Sequence, residues 1–175
     1  KHKGRLVVLG HRFVAMSSGK TLKDVAKGIF TATASLTAAR CVFTEALIRG
    51  MDVWTIDLDS AYLQTRFDVA SPHFLQLDDA TVDVLPTASR TAREKMSHPV
   101  HRMRRAIYGH PLSGHIFNDH LARRLVGMGF VQNEGDHAFL VHSSWDVIIA
   151  LYVDGFAVTG LDVGLLWVEL QANYR

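Results

Sequence analysis

An α+β fold, an antiparallel sheet with helices packed on one face, is the architecture this sequence predicts, and three observations predict it. Helical apolar periodicity appears in separate blocks after Ser35, after Ser113 and after Asp162. Alternating or β-branched apolar runs gather at 53–59 and again from 138 to 159. The last two of those runs are divided by Asp154-Gly155, a two-residue signal that joins antiparallel neighbours. Elements in this order make a sheet with helices laid against it rather than a parallel wound fold. With 175 residues, 48% of them hydrophobic, the chain can bury the core of one domain, or of one domain and a fragment of a second.

The elements follow one by one. Residues 5–9 (RLVVL) read as a strand with basic flanks, and 16–28 as a loop or short helix. Ser35 is placed to cap a helix that carries Leu36, Ala39, Phe43, Ala46 and Leu47 on its inner face and stops at Arg49-Gly50. The run VWTIDLD (53–59) alternates, so Trp54, Ile56 and Leu58 point to the core, and Val53, Thr55, Asp57 and Asp59 point away. Strands at 74–77 and 100–103 are expected to pair around an exposed, irregular loop, 78–99, which is polar and holds Pro86 and Pro99. A second helix runs from Ser113 to Val126 with Ile116, Phe117, Leu121 and Leu125 inward, ended by Gly127 or Gly129. Three antiparallel strands follow at 138–142, 147–153 and 156–159, then a helix after Asp162.

Composition excludes several classes. A net charge of +2 is too small to announce a nucleic-acid binder without local clustering. The single cysteine, Cys41, rules out an intrachain disulfide and a multi-thiolate metal site, which suits a reducing compartment. No apolar stretch reaches the ~18 residues of a membrane span and no signal-peptide pattern opens the chain, so no membrane partner is expected. His110, His115 and His120 fit no zinc spacing. Opening on Lys1 and breaking off a helical pattern at Arg175, the sequence reads as a piece of a longer product.

Two carboxylates attract a functional reading. Asp154 sits inside ALYVDGFAVTG, where it serves either an ordinary Asp-Gly turn or a turn built to present it. Asp57 ends another strand; if the two strands are neighbours, the carboxylates converge to hold divalent metal, as phosphoryl transfer requires. Lys3 and Arg5 lie on one strand face, where two basic residues are otherwise usually solvated. Arg102, Arg104 and Arg105 form the densest basic cluster, suited to phosphates, or simply exposed on a strand edge.

Six blocks in order carry a resemblance. IDLDSAYLQTRF (56–67) resembles the first catalytic motif, LDVKTAFLNGDL, of copia-type retrotransposon reverse transcriptases. AIYGHPLSGHIFNDHL (106–121) is similar to their SLYGLKQAPRAWYEKL, GFVQNEGDHAFLV (129–141) to GFKRSEADPSLYV, and ALYVDGFAVTG to LLYVDDILITG. KGRLVVLGHRF (3–13) resembles KARLVAKGFRQ, and FTATASLTAARCVF resembles FAPTASLTAIRLLL.

The resemblance implies a partial polymerase domain: fingers at about 1–50 and 64–105, palm at about 51–63 and 106–175, with thumb and RNase H absent. It implies an RNA-directed DNA polymerase with Asp57 and Asp154 as catalytic metal ligands, helped by the Leu58 carbonyl. The cofactor implied is a pair of Mg²⁺ ions, with Mn²⁺ a substitute. Tyr62 matches the aromatic below the nucleotide sugar, Tyr108 and Gly109 the nucleotide-pocket loop, and Lys3 and Arg5 the contacts to the triphosphate. Implied partners are an RNA/DNA template-primer, deoxynucleoside triphosphates, and the integrase and RNase H of the same polyprotein, in a cytoplasmic virus-like particle or the nucleus. The sequence departs from the family at YVDG, where Gly155 replaces the second aspartate of YVDD; the alternative implied is an inactive remnant that keeps nucleic-acid affinity.

Overall fold

The computed structural model describes residues 31, 33–69, 72–97 and 99–174. The expected strand at 5–9 and the segment 16–28, with Lys3 and Arg5, lie outside the described residues. Along the chain the elements are α1 (Leu36–Arg49), β1 (Trp54–Asp57), α2 (Ala61–Gln64), β2 (Phe74–Leu75), α3 (Asp79–Asp83), α4 (Thr87–Glu94), β3 (His101–Arg102), α5 (Ser113–Gly127), β4 (Val131–Gln132), β5 (Phe139–His142), β6 (Val147–Tyr152), β7 (Gly155–Gly160) and α6 (Val163–Asn173). They fall into two compact units, one comprising the chain up to Thr65 and from Ala106 onward, the other Arg66–Arg105.

The larger unit is an α+β structure on a five-stranded sheet ordered β1-β7-β6-β5-β4, antiparallel at every pairing. Its main core lies on one face, where Val147, Ile149, Leu151, Phe156 and Val158 meet Phe117, Leu121 and Leu125 of α5 and Leu166 and Leu170 of α6. The expectation of helices on one face only is corrected. α1 covers the opposite face, with Ala38 and Val42 against Ala150, Ile148 and Ala157. The reason is in β6 and β7, which are apolar at successive positions and therefore present apolar side chains on both faces.

The same contact corrects the inner face of α1. Ser35 does cap it, its hydroxyl accepting from the Ala38 N–H at 3.1 Å, and Gly50 ends it at φ 65°. The buried residues, however, are Ala38, Val42 and Ala46, while Leu36, Phe43 and Leu47, expected inside, are 67%, 56% and 83% exposed. Against a sheet face whose own residues include Ala150 and Ala157, small side chains at i, i+4 and i+8 let the backbones approach, and the larger stripe is left outside. Trp54 is likewise exposed rather than inward, at the outer edge of β1, whereas Ile56 and Leu58 are buried as expected.

α5 buries Phe117, Leu121 and Leu125 completely and Ile116 partly. Its C-terminal turn leads to the buried His142: the Trp145 N–H donates to His142 Nδ1 at 3.0 Å, leaving Nε2, 2.9 Å from the Met128 carbonyl, as the ring's donor.

In the smaller unit β2 pairs with β3, Phe74 opposite Arg102 and Leu75 opposite His101. These strands are shorter than expected, and the supposed loop 78–99 contains two helices, α3 and α4. Neither buries a residue, so no apolar stripe announces them. Their starts were nonetheless written in the chain: Asp78 Oδ1 accepts from the Thr81 N–H at 2.7 Å, and Pro86 precedes α4 with its φ already at −54°.

Candidate active site

β1 and β7 bring the two aspartates together. Their antiparallel register places Asp57 directly opposite Gly155, and the Leu58 N–H donates to the Asp154 carbonyl at 3.1 Å. Ile56 and Leu58 anchor this end of β1 in the core, so Asp57 between them faces out and is exposed; Asp154 is half-buried. The register corrects the expected turn. Tyr152 pairs with Gly155, so the two loop residues are Val153 and Asp154 rather than Asp154 and Gly155. Val153 takes φ 59°, a left-handed conformation that a β-branched residue adopts only at a cost of order 1–3 kcal/mol. That cost is borne immediately before Asp154, at the tip of a hairpin whose strands are otherwise regular.

Two tyrosines stand beside these carboxylates. Tyr62, on the single turn α2, stacks on Tyr108 with ring centroids 4.5 Å apart and rests against Phe117 at 5.5 Å. Burial, and then the charge of Asp154, raise the Tyr62 hydroxyl above its usual range. Tyr108 is raised by burial first, then by Asp154, with smaller contributions from Asp57 and Asp59 and an opposing hydrogen bond with the Tyr62 backbone. Both rings therefore lie within the field of the acidic cluster and stay neutral there.

The loop carrying Tyr108 is held by a residue the sequence reading did not single out. Ser113 is fully buried, its Oγ accepts from the Ile107 N–H at 3.0 Å, and its own N–H donates to the His110 carbonyl at 3.1 Å. Its only sequence signal was a serine at the start of a helix; the structure makes Leu112 the N-cap and turns Ser113 toward the loop. Gly109 takes φ 89°, which keeps the backbone bare on this surface. At Gly114 a Cβ would lie 2.7 Å from Thr31 Oγ1, so glycine is what lets α5 pass so close to Thr31, whereas the Tyr62 hydroxyl, at 3.5 Å, would be in ordinary contact.

Asp57, Asp154 and the Leu58 carbonyl are hard oxygen donors, the kind a divalent cation takes. In number they fall short: among the described residues no three His, Cys, Asp or Glu side chains are grouped to hold a metal ion. Position 155 could hold another. A Cβ on Gly155 would meet only the Ile56 and Tyr152 carbonyl oxygens, both at an ordinary 3.6 Å, so nothing in the fold demands glycine opposite Asp57. The donor set thus fits a hard cation in chemistry and leaves room for a third carboxylate.

Of the residues singled out from sequence, Asp57, Leu58, Tyr62, Tyr108, Gly109 and Asp154 all belong to the larger unit. Arg102, Arg104 and Arg105 belong to the other, where they are exposed. Among the described residues no helix is long and apolar enough to cross a membrane.

A family model described as reverse transcriptase (RNA-dependent DNA polymerase) matches residues 1–171. No curated protein and no solved structure matches the chain.

Proposed function

Because the chain belongs to the reverse transcriptase (RNA-dependent DNA polymerase) family, we propose that its larger unit contains the palm of a copia-type enzyme, at about 51–63 and 106–175. Its reaction is the attack of a primer 3′-hydroxyl on the α-phosphorus of a deoxynucleoside triphosphate, with pyrophosphate leaving. The observation that carries this reading is the pairing of Asp57 with Gly155 and of the Leu58 N–H with the Asp154 carbonyl, which unites two distant carboxylates at one end of the sheet.

Asp57 and Asp154, with the Leu58 carbonyl, are the residues that would hold the cation pair. Mg²⁺ or Mn²⁺ bound there supplies Lewis acidity to the 3′-hydroxyl and neutralises phosphate charge. Around them the chain's own groups do the positioning. Tyr62, stacked on Tyr108 and backed by Phe117, presents a ring on which a deoxyribose can rest, the role its match to the family's sugar-contacting aromatic implies. The Tyr108-Gly109 turn, held by Ser113, offers bare backbone to the nucleotide. Lys3 and Arg5 take the triphosphate, and Arg102, Arg104 and Arg105 the template-primer backbone. The remaining Pol domains, RNase H and integrase, complete the system.

Gly155 favours a second reading. With one carboxylate fewer, cation affinity falls and the second ion is poorly placed, and small misplacements cost large factors in rate. The chain would then be an inactive remnant that retains nucleic-acid binding. Primer extension on an RNA template, with this segment grafted into a complete polymerase of the family, separates the two. Extension by the unaltered segment, abolished by Asp154→Asn, supports the active enzyme. Extension by Gly155→Asp alone supports the remnant, and failure of every version sinks the assignment of this site.

A further inference from the structure

Four arginines converge on one cleft of about 290 Å³ in the smaller unit: Arg66, Arg102, Arg104 and Arg105, with Asp68 the one carboxylate on its rim. Strand alternation brings them there. Met103 turns inward and is 5% exposed, which sends Arg102 and Arg104 outward, and Phe67 does the same between Arg66 and Asp68. The Phe67 N–H donates to the Arg104 carbonyl at 3.1 Å, and Arg66 forms an isolated antiparallel bridge with Arg105.

That arrangement gathers charge of one sign. Like charges on directly opposed bridge partners repel, and guanidinium groups do not shed their charge to escape. Among the described residues that line the cleft, Asp68 is the carboxylate. Among the described residues no side-chain ion pair or hydrogen bond engages Arg66, Arg102 or Arg104. An anion with several oxygens relieves this repulsion, and the planar fork of arginine matches phosphate in both geometry and charge.

We propose that this cleft binds backbone phosphates of a nucleic acid, and that Arg66 is a phosphate-contacting residue. The inference rests on the polymerase reading and extends it. It adds a defined place on the protein and a residue from a different segment than the basic run at 102–105, one that the Arg66–Arg105 bridge and the Phe67–Arg104 hydrogen bond bring into the cluster.

The test is fluorescence anisotropy of a labelled RNA–DNA primer–template titrated with the full chain between about 50 and 200 mM salt. Arg66→Gln is expected to weaken binding several-fold at the low end and to lower the slope of log K against log salt by about 0.7–0.9, one phosphate's share. Arg66→Lys should keep the slope, and Arg90→Gln, exposed on α4 outside the cleft, should match the unaltered chain. Arg102→Gln serves in its place should Arg66→Gln fail to fold by circular dichroism. If the unaltered chain binds but the Arg66 and Arg102 variants share its slope, the cleft is not a phosphate site and the polymerase reading survives. If the unaltered chain binds no primer–template, both fall. Displacement of the oligonucleotide by inorganic phosphate at matched ionic strength would assign the cleft to free phosphate and overturn the nucleic-acid assignment.

Discussion

Placing an aspartate at Gly155 should make the stability of this protein depend on divalent cation. Residue 155 lies directly across from Asp57, and cross-strand partners share a face with Cβ atoms about 4.5–5.5 Å apart. Two carboxylates at about 5 Å repel by roughly 0.8 kcal/mol in water and about 3 kcal/mol at an effective dielectric of 20. Asp57 is exposed, so the lower end, about 1 kcal/mol, applies. Gly155→Asn has the same shape without the charge, and comparing it with Gly155→Asp cancels the effect of losing glycine. In chelator the Asp variant should be less stable than the Asn variant by about 1 kcal/mol. At ten times its Kd, Mg²⁺ contributes about 1.4 kcal/mol to the form that binds it, enough to reverse the order. Urea unfolding followed by tryptophan fluorescence reads this directly, since Trp145 is half-buried against His142 at 4.1 Å. Adding Asp57→Asn should abolish both the penalty and the gain. An Asp–Asn difference that is the same with and without Mg²⁺ would refute the convergence of these two positions on a cation site.

Other outcomes follow from the same geometry. Phe117→Ala empties a fully buried site beneath Tyr62 and should cost about 3–5 kcal/mol, lowering Tm by roughly 10 °C in a thermal scan. Val153→Gly should be more stable to urea than Val153→Ala by about 0.5–1 kcal/mol, because both lose the side chain but only glycine relieves the left-handed φ; equal stabilities would deny the strain. Burial pushes the Asp136 carboxyl up, but hydrogen bonds from the Ser35 N–H at 2.9 Å and the Ala138 N–H at 3.1 Å outweigh it and hold the group below the usual range. A lowered folded value means stability fully present above the unfolded carboxylate pKa near 3.9 and lost as pH falls through the folded one. The stability advantage over Asp136→Asn should therefore be level at neutral pH and shrink below about pH 4, as measured by urea midpoints across pH.

Much of the structure was legible because its signals are local. Ser35 and Gly50 bracket α1 through a side-chain cap and a left-handed stop, both set by neighbours within a few residues. The apolar spacing of Phe117, Leu121 and Leu125 reads as a helix face wherever that helix is put. The apolar runs of β6 and β7 read as paired strands, with Asp154 in the turn between them, and Asp57 ends β1 as its alternation predicts. What failed did so where a pattern had two solutions. Asp-Gly is the commoner turn pair, yet pairing with β1 shifts the turn to Val153-Asp154. The polar stretch 78–99 carries no apolar period, so capping by Asp78 and Pro86 was the only clue to α3 and α4.

By itself, then, the sequence determined where the three long helices lie, that the runs at 138–142, 147–153 and 156–159 are strands, and which family the chain belongs to, since caps, periodicity and ordered motifs are properties of short stretches. Tertiary structure alone decided which side of α1 is buried, because closeness of approach to Ala150 and Ala157 outweighs the size of the apolar stripe. It alone placed Gly155 opposite Asp57 and Arg66 opposite Arg105, because register is settled by pairing across the sheet and not within a strand.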